Sequence, residues 1–211
     1  MSARSHVRAR AARGKCSLTR SRGGFVWQLK KLTKEMFSIM YASRGVGLAA
    51  PQLGVNRRLM VFNPEGDPKR WVSEVRRLHS KPPPGRQPQP PCRSPPPPSF
   101  PSDLGARQVV LCNPEIIESS DATDVEEEGC LSFPGFTADV RRSEWIKVAY
   151  ENLKGKKQKK KLSGWEARIF LHEFDHLTGT LYIDRLDESE RQRVQPNLDE
   201  LIAAHGEGGA L

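Results

Sequence analysis

His172 and His176 stand four residues apart in Leu171-His172-Glu173-Phe174-Asp175-His176, with a carboxylate directly beside the first of them. A helix turns about 100° per residue, so positions four apart share a face and both imidazoles can close on one cation. Glu173 lies next to that face, where a carboxylate can take a proton from water held by the ion. The pattern H-E-x-x-H therefore requires a helix here and points to hydrolytic metal chemistry.

The 211 residues suffice for one domain with a proper core plus appendages. Net charge locates the appendages. Residues 1–24 hold seven Lys or Arg and no acid, and residues 75–107 hold six against Asp103, so taking both from +9 leaves −3 for the rest. The basicity belongs to a tail and an insert, and neither nucleic-acid binding by the core nor direct DNA binding is expected. The tail is rich in Arg, Ser and Ala and lacks the apolar centre of a secretory signal. It resembles an organellar transit peptide, which implies a plastid or mitochondrial destination, the alternative being cytoplasmic. Cys16, Cys92, Cys112 and Cys130 form no C-x-x-C pair or dense framework, so a reducing compartment is expected. Apolar runs fall well short of the roughly 20 residues that span a bilayer, and no membrane partner is expected.

Along the chain, Phe25, Leu29, Leu32, Met36, Ile39 and Met40 recur at steps of three and four, which predicts an amphipathic helix ending near Arg44-Gly45. Strands are expected at Arg58–Phe62, at Gln108–Cys112 with Asn113-Pro114 ending it, and at Ile146–Tyr150. Leu153–Lys161, with six lysines, reads as a hairpin tip. Trp165–Leu177 is the His-bearing helix, stopped by Gly179. Leu181 and Ile183 alternate as a short strand. Asp187 and Glu190 form a capping box for a last helix through Leu201, which Pro196 should kink or interrupt. Eleven of the seventeen prolines fall within Val75–Arg107, which therefore reads as a disordered insert rather than core. The expected organisation is a tail at 1–24, a catalytic domain at 25–74 and 108–206, and the insert at 75–107.

A catalytic site needs a third protein ligand, with a position left open. Downstream lie Asp184, Asp187 and His205, of which only Asp184 is close. Upstream, Glu128-Gly129-Cys130-Leu131-Ser132-Phe133-Pro134-Gly135 sets one cysteine in a Gly- and Pro-flanked segment between two strands. Cys130 is the expected third ligand, since a thiolate binds strongly. A free cysteine is more often buried and inert, so the flanking residues carry this assignment.

Three segments in order, Gly45-Val46-Gly47-Leu48-Ala49-Ala50-Pro51-Gln52, Glu128-Gly129-Cys130-Leu131-Ser132 and His172-Glu173-Phe174-Asp175-His176, resemble the motifs of peptide deformylases. The likeness covers most of residues 28–190 outside the insert. Cys130 to Gly135 and Ala167-Arg168-Ile169-Phe170 look most like the plant and algal organellar branch. The resemblance implies an α+β fold, with antiparallel sheets around a central metal-binding helix, and removal of the formyl group from N-formylmethionyl nascent peptides. It implies one divalent ion, Fe2+ or Zn2+, on Cys130, His172 and His176, with Glu173 as general base and acid. Gln52 and the Leu131 backbone N–H would hold the oxyanion. Gly45, Val46 and Gly47 would contact the peptide, Ile169 would line the methionine pocket, and Glu128, Arg142 and Asp175 would support the ligands, with Arg142 partnering Asp175.

Two segments depart from the family pattern. Residues 1–24 hold nothing like its opening strand, so a sheet edge is expected to be missing, and Val75–Gln108 has no counterpart. Three rival readings go with these features. A zinc endopeptidase shares H-E-x-x-H, a ribosome-binding protein would use the lysines and the insert, and an inactive relative would follow from the missing edge.

Overall fold

The computed structural model describes residues 11–16, 23–66 and 107–205. The insert at 75–107, apart from Arg107, lies outside the described residues. Helix α1 (Gly23–Ala42) leads into strand β1 (Gly47–Ala49), a 3-10 turn at Ala50–Leu53 and β2 (Leu59–Phe62). Strands β3 (Val109–Ser119), β4 (Thr123–Cys130), β5 (Phe133–Ser143), β6 (Trp145–Glu151) and β7 (Lys157–Ser163) follow, and then helices α2 (Gly164–Thr178) and α3 (Glu188–His205). All paired strands are antiparallel. One sheet has the order β1-β2-β3-β6-β7, and β4 with β5 forms a second.

Strand β2 explains the layering. Leu59 and Val61 face the cluster that holds Leu29, Met36 and Met40 of α1, while Met60 and Phe62 face the one that holds Ala167, Phe170 and Leu177 of α2. With both faces covered, the strand reads as a continuous apolar run. Burying a side chain such as Phe62 or Phe170 contributes roughly 2–3 kcal/mol. A third cluster joins Val140 of β5 to Val194 and Leu198 of α3 through Tyr182 and Ile183. Helix α2 thus packs against both sheets, between the α1 layer and the β4–β5 pair, and its Gly179 cap adopts φ 77° and donates to the Asp175 carbonyl.

Residues 11–16 pack against the rest of the fold: Ala12 N–H donates to the Leu177 carbonyl, Gly14 O accepts from Arg58 N–H, and the Cys16 N–H and carbonyl both bond the Asn113 side chain. Several expectations change. Strand β3 does not end at Asn113-Pro114. Asn113 takes φ 50° and the β3–β6 register shifts between Cys112 and Glu115, so Pro114 sits in a bulge where no ladder donor is required.

The lysine-rich stretch is mostly strand β7, and Asn152 builds the turn by accepting from the Lys154 and Lys156 N–H groups. Lysines on an edge strand deter pairing with another chain. Leu181 caps, and Ile183 lies within, a 3-10 turn at Tyr182–Arg185 rather than a strand, because Asp184 accepts the Leu181 N–H and Tyr182 is buried between them. Helix α3 runs through Pro196. Asp187 caps the Glu190 N–H, but the Glu190 carboxylate turns to Asp139 N–H and Arg193 instead of closing a capping box.

Candidate metal centre and active site

Cys130 ends β4 at a register shift against β5, and His172 and His176 project from successive turns of α2. Their ligand atoms lie within 4.8 Å of one another, with Cys130 Sγ 3.3 Å from His176 Nε2. Metal–sulfur and metal–nitrogen bonds of tetrahedral zinc sites imply ligand separations of about 3.5 Å, so the group is of the right size. Asp184 and Asp187 are occupied with the backbone contacts described above and do not join it. The His205 side chain lies outside the described residues.

The surrounding charge suits a cation. His172 Nδ1 lies 2.9 Å from Glu128 Oε2, which leaves Nε2 for the ligand group. Burial disfavours an imidazolium at His172, yet hydrogen bonds to Cys130 and Glu128 and the negative charge of Glu173 overrule it and raise its pKa to about 10. The pocket thus favours positive charge at this place. His176 is pushed down to about 3 by burial and then by His172, so it is neutral, as a ligand must be. Glu173 completes the evidence of fit: it is buried, and its Oε2 has no hydrogen-bond partner among the described residues. Burial pushes its carboxyl up to about 7 against the pull of His172.

Glu128 is bound from two sides. Arg142 donates to it through Nε and Nη2, both at 2.9 Å, and Arg168 Nη1 donates at 2.8 Å. Burial alone would raise the Glu128 carboxyl, but Arg142 and His172 hold it at about 2. Arg142 continues to Asp175 at 2.6 Å, and Arg185 grips the same carboxylate at 2.7 Å. The sequence assigns no role to Arg185, whereas Arg168 has a readable signal: it lies four residues before His172, on the inward face of α2.

The Gly45–Gln52 segment forms the opposite wall. Gln52 Oε1 accepts the Ala49 N–H at 2.8 Å, which turns Nε2 toward Ser132 Oγ at 3.2 Å and Cys130 Sγ at 3.9 Å. A donor therefore points at the ligand group. A Cβ on Gly47 would fall on the Glu173 carboxylate, with Cδ and Cγ at 2.8 Å, and a Cβ on Gly45 would meet Leu131 Cδ1 at 2.9 Å. The expected outcome for Gly47→Ala is a roughly 100-fold fall in turnover with the fold retained, because displacing a reacting group by about 1 Å costs that much. Steady-state kinetics beside circular dichroism would check it.

A cavity of about 550 Å³ opens over the ligand group, lined by Gly45, Val46, Gly47, Gln52, Leu131 and Ile169 among others. Ile169 is buried in its wall and Leu131 is exposed at its mouth. Trp165, also partly exposed there, is fixed by its indole N–H on the Pro64 carbonyl.

The description "polypeptide deformylase" is that of the family whose sequence pattern matches residues 16–192. The chain belongs to the peptide deformylase family. Similarity to individual deformylases runs through the same residues. The chloroplastic peptide deformylase 1B of Oryza sativa is 37% identical over 183 residues, 87% of this chain and 55% of the rice protein. The chloroplastic/mitochondrial peptide deformylase 1B of Arabidopsis thaliana is 35% identical over 183 residues, again 87% of this chain and 54% of that protein. The chain spans about half the length of these plant relatives. A solved peptide deformylase of Plasmodium falciparum superposes with a TM-score of 0.68 at 31% identity, covering 93% of this chain and 91% of that one. The α+β deformylase fold is thereby shown, and Cys130, His172 and His176 form a group that could hold a metal ion.

Proposed function

We propose that the chain is a metal-dependent deformylase that hydrolyses the N-formyl group of N-formylmethionyl nascent peptides and releases formate. The observation that carries this reading is the placement of Glu173: a buried carboxylate with an oxygen unpartnered among the described residues, beside a Cys/His/His group whose cysteine sulfur lies 3.9 Å from Gln52 Nε2. A divalent ion held by Cys130, His172 and His176 would supply Lewis acidity, which polarises a carbonyl and makes water more acidic. Ligand type does not choose between Fe2+ and Zn2+.

Each remaining task falls to the chain's own groups. Glu173 takes the proton from the attacking water as the new C–O bond forms. It then delivers that proton to the methionine nitrogen as the C–N bond breaks, so formate and a free amine leave. Burial raises the Glu173 carboxyl above the ordinary carboxylate range, toward neutrality, which suits a group that must both accept and return a proton. Gln52 Nε2 and the Leu131 N–H meet the charge that develops on the formyl oxygen, and Gln52 does so without a charge of its own. Val46 and Gly47 lay the peptide along β1, and Ile169 faces the methionine side chain.

Gln52→Ala is expected to lower kcat by about 100- to 1,000-fold with little change in KM, the loss typical of one oxyanion donor. The names of the plant relatives support a plastid or mitochondrial location. No described helix is long and apolar enough to cross a membrane. Ribosome association is consistent with nascent chains as substrate.

The reading is tested by supplying a formyl-Met tripeptide and the same peptide without the formyl group. Formate release from the first with no cleavage of internal bonds in either is the expected result. Cleavage of the unformylated peptide would replace this reading with an endopeptidase.

A further inference from the structure

Arg168 is buried although it carries a charge, and it stands one turn before His172 on α2. Its guanidinium serves several groups at once. Nη1 donates to Glu128 Oε1 and to the Val140 carbonyl, both at 2.8 Å, Nη2 reaches the Asp124 carboxylate, and Nε lies 3.2 Å from Glu126. Burying a guanidinium costs several kcal/mol before its partners offset it, so its placement here calls for an account.

The acceptor count on Glu128 supplies one. A carboxylate offers about four lone-pair sites. Oε1 receives Arg142 Nε and Arg168 Nη1, while Oε2 receives Arg142 Nη2 and His172 Nδ1. Arg142 comes from β5 and Arg168 from α2, so the carboxylate is gripped from two separate elements. Without Arg168 one site on Oε1 opens, and the carboxylate can tilt about the remaining fork. Because Arg168 and His172 are four residues apart on one helix, Glu128 also ties two successive turns of α2 together.

We infer that Arg168 is a positioning residue for the metal centre: it completes the clamp on Glu128, so that Glu128 Oε2 holds the His172 Nδ1 proton and His172 Nε2 stays aimed at the ion. It acts through Glu128. The inference rests on the metal-site reading above. Carboxylates behind a ligating imidazole fix its tautomer and ring orientation, and disturbing them typically costs about 10- to 100-fold in metal affinity.

The test is titration of the metal-free full-length protein with Co2+, whose thiolate charge-transfer and d–d absorption report the ligand geometry without any turnover. Arg168→Met keeps length and loses the fork. It is expected to bind Co2+ about 10- to 100-fold more weakly, with a displaced d–d spectrum. Arg168→Lys, whose single ammonium cannot span Glu128, Val140 and Asp124 together, should recover part of the affinity. Glu126→Gln, which changes only the exposed side of the guanidinium, should bind within about twofold of the parent. A parent that takes up no Co2+ overturns the metal-site reading and the inference with it. A parent that binds, with a folded Arg168→Met matching it in affinity and spectrum, overturns the inference alone. Should Arg168→Met fail to fold, Arg168→Lys decides: weaker binding supports the inference, and parental affinity with a parental spectrum overturns it.

Discussion

Replacing Glu173 by Gln should lower formate release by about 1,000-fold or more and, above pH 7, make the metal-free protein more stable. The first effect follows from losing the group that moves the proton, since general acid–base catalysis by one positioned side chain contributes up to about 10⁴-fold. The second follows from burial. The Glu173 carboxyl is raised from 4.5 to about 7, so its favourable contribution is full below pH 4.5 and is lost as pH rises through 7. Above that, the folded protein carries a buried charge whose Oε2 has no hydrogen-bond partner among the described residues, at a cost of about 3 kcal/mol relative to low pH. Glutamine keeps the shape and removes the charge. Urea unfolding at pH 8 should therefore favour Glu173→Gln by roughly 2–3 kcal/mol, and the advantage should fade by about pH 4.5. Equal stability of the two proteins at pH 8 would mean that the carboxylate is solvated or partnered in solution. Catalytic need and stability pull in opposite directions at this residue.

Glu128→Gln should act the other way. It leaves Arg142 and Arg168 buried without their shared anion and turns an amide N–H₂ toward one of them, a loss of about 3–5 kcal/mol. For a chain of this size that lowers the melting temperature by about 10 °C. The Glu128 carboxyl is depressed from 4.5 to about 2, so its contribution is present above pH 4.5 and disappears as pH falls toward 2. The gap between parent and variant should therefore close across that interval. A gap that persists unchanged at pH 2 would show that the effect comes from packing and not from the ionised carboxylate. Metal affinity should fall alongside, because the arginine clamp that holds the acceptor of His172 Nδ1 in place is loosened.

The parts of this site that the sequence disclosed were those with a local spacing rule. His172 and His176 are one helical turn apart, and Glu173 is their neighbour, so α2 and its chemistry could be read directly. Cys130, Gln52 and Gly47 reach that helix only through the tertiary fold, and their assignment depended on resemblance to a family. The Gly47 requirement shows the physical content of that resemblance: a methyl group there would occupy the space of the Glu173 carboxylate.

Tertiary bonding also explains what was misread. Asn113-Pro114 carries a stop signal, but the Asn113 side chain bonds both backbone groups of Cys16 and the bulge lets β3 continue. The basic character of residues 11–16 suggested a tail, while their backbone groups bond to Arg58, Asn113 and Leu177. Helical spacing puts Arg168 on the His172 face of α2, but its partner Glu128 comes from β4 and is brought there only by the tertiary fold.

The central claim is that one ion on Cys130, His172 and His176 makes this pocket a deformylase. It is tested most directly by titrating the metal-free protein with Fe2+ under anaerobic conditions while recording formate release from a formyl-Met tripeptide. The account predicts that activity rises linearly, breaks at one ion per chain, and is abolished by Cys130→Ala at every metal concentration. Formate release without metal, or full activity retained by Cys130→Ala, would contradict it.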